Sequence, residues 1–153
     1  MAETIHPRIL VVESYGSNTK SILNHLAGSP FPLQVVSVSD AEAAMALIHK
    51  EPFDLAIIDT CLRGKMDGFD LCRALRSSTG TQRPSIILLL SGYLSLERSR
   101  GISAGADLLL HRPVVREELM RMIQLLLAER LSQAANTQLA AANPAERRLR
   151  SVS

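Results

Sequence analysis

With 46% apolar side chains in 153 residues, the chain can bury the core of one domain, and with only 3% aromatics that core must be aliphatic. A net charge of +2 gives no argument for nucleic acid or an anionic membrane as the main partner. No apolar stretch approaches the roughly 20 residues of a membrane span, and the start Met1-Ala2-Glu3-Thr4-Ile5-His6-Pro7-Arg8 carries an acid and a proline and is no signal peptide. Cys61 and Cys72 fit neither a CxxC pair nor a zinc spacing, so the expectation is two reduced thiols in a cytoplasmic protein.

Ile9-Leu10-Val11-Val12 is an apolar run without polar alternation, the pattern of a strand buried on both faces. Tyr15-Gly16-Ser17-Asn18 reads as a turn and N-cap for a helix that places Ile22, Leu23 and Leu26 on one face and stops near Gly28-Ser29-Pro30. Residues 33–38 form a second strand, interrupted by Gln34 and Ser37 as an edge strand tolerates. Ser39 and Glu42 have capping-box spacing, and the helix they open has Ala41, Ala44, Met45 and Ile48 as its apolar face. The third strand, 53–59, ends abruptly on Asp59. After a loop over 60–66, a helix starts near Asp67-Gly68, puts Leu71, Cys72 and Leu75 on one side, and ends at Ser77-Ser78-Thr79-Gly80.

Residues 85–90 are the most apolar run and end at Ser91-Gly92. The helix over 95–104 is weak, since it has few apolar residues and contains Gly101, which costs ~1 kcal/mol relative to alanine. It is therefore expected to move easily. A fifth strand over 107–110 leads through His111-Arg112-Pro113 into a last helix from about Val115. Strands alternating with helices predict an α/β fold with a five-stranded parallel sheet covered on both faces. The compact domain is expected over 1–130, with 131–153 as a helical extension, a Pro144 break and a basic tail at 146–150, either a solvated end or a linker.

Carboxyl ends of strands in open α/β sheets are where ligands bind. The predicted strand ends carry Glu13-Ser14, Asp59, Ser91 and Arg112. In a doubly wound sheet of order 2-1-3-4-5, Glu13 and Asp59 face each other. Two acids at close range repel unless a cation lies between them, and an oxygen-only site suits Mg²⁺. Ser91 and Arg112 are expected on the other side of Asp59, where a hydroxyl and a guanidinium can hold phosphoryl oxygens.

Six segments in this order and spacing make the chain resemble a receiver domain of two-component response regulators. They are Ile9-Leu10-Val11-Val12-Glu13, residues 54–59, Gly64-Lys65-Met66-Asp67-Gly68, residues 88–92, Ala104-Gly105-Ala106-Asp107 and Arg112-Pro113. The resemblance implies a flavodoxin-like, receiver-type fold. It also implies phosphorylation of Asp59 by a histidine kinase, a phosphotransfer protein or a small phosphodonor, with Mg²⁺ bound. Glu13 would bind the metal with Asp59 and the Cys61 backbone carbonyl. Ser91 and Arg112 would meet the phosphoryl group, and Arg112-Pro113 would be a cis peptide. Such a domain is a phosphoacceptor rather than an enzyme, with at most self-phosphorylation and self-dephosphorylation. It signals to a downstream protein through its fourth helix, fifth strand and fifth helix.

Three positions depart from the family pattern. Ser14 stands where a second metal-binding acid is usual and is a poorer ligand for a hard dication. Arg112 stands for lysine and turns a one-point contact into a fork. Leu109 stands where an aromatic switch residue is common. On the last helix, Leu119, Met122, Ile123 and Leu126 are expected to pack on the sheet. Met120, Leu127 and Leu131 form a second stripe, either a wide core face or a surface for a homodimer or partner. Two other functions fit parts of the chain. One is a receiver that no longer takes phosphate and acts as an interaction module, which Ser14 and Leu109 favour. The other is an FMN-binding electron carrier, suggested by the hydroxyl-rich run Ser14-Tyr15-Gly16-Ser17-Asn18-Thr19, although only Tyr93 is placed to stack a flavin.

Overall fold

The structure is a computed structural model that describes residues 6–14, 19–78, 83–92 and 95–142. Strands and helices alternate throughout: β1 (Arg8–Val12), α1 (Thr19–Ala27), β2 (Gln34–Val38), α2 (Ala41–Lys50), β3 (Leu55–Asp59), α3 (Gly68–Ser77), β4 (Ser85–Leu90), α4 (Ser95–Ser103), β5 (Leu108–His111) and α5 (Arg116–Ala142). All four strand pairings are parallel, and the sheet order is β2-β1-β3-β4-β5, as the sequence predicts. The turn at 15–18, the end of α3 at 79–80, Tyr93 and the basic tail lie outside the described residues.

The continuous apolar runs are explained by burial on two sides. Along β1, β3 and β4, alternate side chains enter two cores. Leu10, Val12, Ala56, Ile58, Ile86, Leu88 and Leu90 pack under α2 and α3. Ile9, Val11, Leu55, Ile57, Ile87 and Leu89 pack under α1 and α5. Each such aliphatic side chain contributes roughly 1.5–3 kcal/mol by leaving water. Gln34, Val35 and Ser37 are exposed on β2, which is an edge strand as its polar interruptions suggest.

Two local expectations change. The cap of α2 is Asp40, whose side chain accepts from Ala43 N at 2.7 Å, and not Ser39 with Glu42. A carboxylate in extended backbone one residue later reaches the free amide instead. A capping box does occur on α3, between Asp67 and Asp70, with bonds of 2.9 and 3.1 Å. The second stripe on α5 divides. Met120 is drawn into the core at 8% exposure, Leu127 packs partly against it, and Leu131 is 72% exposed. Met120 therefore leaves the expected interaction face, because the helix turns a wide apolar side, with Leu119, Ile123 and Leu126, into the core. The helix runs unbroken past residue 130, and residues 131–140 are all exposed.

Gly68 sets how closely α3 approaches the end of β3. Its amide donates to Thr60 O at 3.1 Å, and a Cβ there would overlap the Asp59 carbonyl and come within 2.7 Å of Thr60 Cα. Both obstacles are backbone, so neither can turn aside. Gly68→Ala is expected to cost about 1–3 kcal/mol of stability, the range for overpacking, measured as a lowered midpoint in urea unfolding.

Candidate functional site

The register brings the two acids together. Val12 pairs with Ile58, so Glu13 and Asp59 each lie one residue beyond the same rung of neighbouring strands. Both are buried, at 1% and 3% exposure. Arg112 reaches them from farther away. It follows β5, its amide donates to Leu90 O at 3.0 Å, and β4 lies between β5 and β3. Two strand spacings of about 4.8 Å must be crossed, a span that a long side chain can cover. The Arg112-Pro113 peptide is cis, as the resemblance implies.

A single nitrogen of Arg112, Nη2, donates to Glu13 Oε1 at 2.6 Å and to Asp59 Oδ2 at 3.0 Å. The guanidinium thus offsets part of the charge of the two acids. It bridges them. The other Asp59 oxygen, Oδ1, accepts from Cys61 N at 3.0 Å. Burial pushes the Glu13 carboxyl above the usual carboxylate range and the Asp59 charge adds to the rise, while the hydrogen bond and charge of Arg112 oppose it.

Ser91 is engaged by Glu97 and Cys61. Its hydroxyl donates to Glu97 Oε1 at 3.2 Å and lies 3.3 Å from Cys61 Sγ. Ser14 is 6% exposed, and its Oγ accepts from Arg63 N at 2.9 Å. Leu109 lies under α4, where a Cβ on Gly101 would come within 2.6 Å of its Cδ2. Glycine in the weak helix thus makes room for the leucine that replaces an aromatic. The sequence reading missed Glu97; its signal was an acid in the first turn of a helix, six residues after Ser91.

The donors fit a hard dication. Glu13 and Asp59 supply carboxylate oxygens, and Glu13 Oε2 is buried with no hydrogen-bond partner, an acceptor left open for a cation. The set is short by one acid, and among the described residues no group of three or more His, Cys, Asp and Glu could hold a metal. Arg112 already engages both carboxylates, so a dication would compete with it. Both cysteines are free, Cys61 exposed and Cys72 buried. Burial raises the Cys72 thiol to about 11, and it donates to Ala104 O at 3.3 Å.

A family profile described as the response regulator receiver domain matches residues 9–124. The chain belongs to the response regulator receiver family. This receiver is 34% identical over 121 residues to the phosphate regulon transcriptional regulatory protein PhoB of Rhizobium meliloti, which covers 79% of the chain and 52% of PhoB. It is 32% identical to the response regulator MprA of Mycolicibacterium vanbaalenii, over 78% of the chain and 50% of MprA. It thus spans about half the length of these curated relatives. Among solved structures, the chemotaxis response regulator CheY4 of Vibrio cholerae aligns with a TM-score of 0.68 at 25% identity, over 80% of this chain and 100% of that one. A CheY-like receiver domain from Methanospirillum hungatei, 24% identical, shares the fold with a TM-score of 0.70 over 84% and 99%. Receivers are signalling domains, and they generally bind Mg²⁺ at their acidic site.

Removing Arg112 leaves two buried carboxylates without their cation. Arg112→Ala is expected to lose about 3–5 kcal/mol of stability at neutral pH. A carboxyl raised in the folded state binds its proton more tightly there, so folding gains as the pH falls through that raised value. The deficit of the variant should therefore shrink on acidification. Urea midpoints of both proteins at several pH values measure it.

Proposed function

We propose that the chain accepts a phosphoryl group on Asp59 in a Mg²⁺-dependent phosphorelay. The observation that carries this reading is the convergence of Glu13, Asp59 and Arg112, from three strands, on one buried pocket at the carboxyl end of the sheet. Asp59 Oδ2 attacks the phosphorus in line and the donor's leaving oxygen departs with the bond electrons. Phosphoryl transfer asks mainly for positioning and charge stabilisation. Cys61 N orients the carboxylate through Oδ1. Arg112 follows the charge from the carboxylates to the phosphoryl oxygens, and Ser91 turns inward to donate to another. Mg²⁺, held by Glu13, Asp59, the Cys61 carbonyl and, weakly, Ser14, would offset charge on the same oxygens.

The phosphoryl group adds about −1.5 to −2 charge at the rim of the sheet. The response reaches a downstream protein through the face of α4, β5 and α5. Leu127 and Leu131 border that route, and a homodimer is one form the contact can take. A histidine kinase or phosphotransfer protein is the donor, in the cytoplasm. The receiver occupies 1–130, and 131–153 is a C-terminal helical extension and basic tail, a solvated end or a linker. No helix among the described residues is long and apolar enough to cross a membrane.

With Mg²⁺ and a small phosphodonor, the chain is expected to gain the mass of one phosphoryl group, and Asp59→Asn to abolish the gain. No gain at millimolar Mg²⁺, with intact folding, would instead favour a phosphorylation-independent interaction module, the reading that Ser14 and Leu109 support. A yellow purified protein would speak for bound flavin. Restoring the missing acid tests the metal: Ser14→Asp is expected to tighten Mg²⁺ binding about tenfold, as an added carboxylate does for a hard cation. Mg²⁺ titration followed by amide chemical shifts reads it, and unchanged affinity would remove Ser14 from the metal's surroundings.

A further inference from the structure

Ser91 has one hydroxyl hydrogen, and in this structure it is committed to Glu97. Glu97 uses both of its oxygens on the same short segment: Oε1 accepts from Ser91 Oγ at 3.2 Å and Oε2 accepts from Gly92 N at 2.9 Å. Gly92 is shaped for that approach, since a Cβ there would come within 3.2 Å of Glu97 Oε2. The Ser91 oxygen also accepts from the Cys61 thiol at 3.3 Å. Ser91 is thus held on the Glu97 side by a charged acceptor, and hydrogen bonds to charged groups are the strong ones.

We infer that Glu97 is a positioning residue, a latch that occupies the Ser91 hydroxyl hydrogen and, on releasing it, reports occupancy of the site to α4. The inference rests on Asp59 being the phosphoryl acceptor. A phosphoryl oxygen on Asp59 and the Glu97 carboxylate compete for the same hydrogen. When the phosphoryl group wins, Glu97 loses Ser91, and the first turn of α4 loses a tie to the sheet. Little else holds that helix: Gly101 is its one buried residue, while Leu96 and Ile102 are 69% and 64% exposed. A second polar tie among the described residues runs from Arg100 to Asp67 at 3.4 Å, with the guanidinium 4.2 Å over the Phe69 ring. Leu109 supplies no ring to follow Ser91, so the carboxylate on α4 itself carries the coupling.

Two measurements on the full chain test this. In the absence of phosphodonor, Glu97→Ala should speed hydrogen exchange of the Gly92 amide about tenfold while core amides of β3 and β4 keep their protection. Unchanged Gly92 exchange would overturn the latch. Titration with fluoroberyllate and Mg²⁺ should then show Glu97→Ala binding about tenfold tighter than the wild type and Glu97→Gln in between. In a Ser91→Ala background, Glu97→Ala should change nothing. Equal or weaker binding by Glu97→Ala, or an undiminished gain without Ser91, would overturn the latch and leave Asp59 as acceptor. If neither the wild type nor Glu97→Ala binds fluoroberyllate, the acceptor reading fails, and competition for Ser91 fails with it. Binding by Glu97→Ala alone would support both.

Discussion

One guanidinium between two buried carboxylates is the contact on which this structure depends. Glu13 and Asp59 sit side by side because adjacent parallel strands end on the same rung, and burial at that rim makes two uncompensated negative charges costly. Arg112 resolves the conflict with one nitrogen, and in doing so ties the tips of β1, β3 and β5 together. The tie leaves Glu13 Oε2 buried and without a partner. Two carboxylates and one guanidinium leave the cluster short of positive charge, and the open Glu13 oxygen is a place where a hard cation could be accepted.

Around this fixed centre the helices differ in how firmly they are held. The helices α2 and α3 close one core and α1 and α5 the other, by aliphatic burial. By contrast, α4 is attached by polar contacts of its charged residues, Glu97 to the end of β4 and Arg100 to the start of α3. A helix held by a few partly exposed hydrogen bonds can shift at small cost, whereas one held by a packed core cannot. One of the polar tethers of α4 thus ends at Ser91, at the carboxyl end of the sheet.

The segment leaving α4 shows the opposite arrangement. Gly105 has a positive φ of 91°, and its carbonyl accepts from Arg76 Nε at 2.6 Å. Arg76 also pairs with Asp107, whose Oδ2 accepts from Ile86 N at 2.7 Å. One arginine of α3 thereby pins the entry to β5, so that the strand delivering Arg112 has a fixed start. The Ala104-Gly105-Ala106-Asp107 run, which in the sequence is only a matching segment, thus has a mechanical reason: a turn that needs glycine, followed by a carboxylate that receives an arginine and a strand amide.

The sequence by itself determined the α/β alternation, the buried central strands, the edge position of β2 and the identity of the three residues that converge, because periodicity and strand-end chemistry are local properties. It also grouped Ser91 with them as a strand-end hydroxyl, and identified Leu109 and Gly101 one at a time. Only the tertiary structure decided which partner each took. That Arg112 bridges both acids, that Ser91 turns to Glu97, that Leu109 fills the space over Gly101 and that Met120 joins the core all depend on side chains from separate elements competing for one volume. A residue's own neighbours in the chain carry no record of that competition, since its outcome is set by distances that exist only after the sheet has formed.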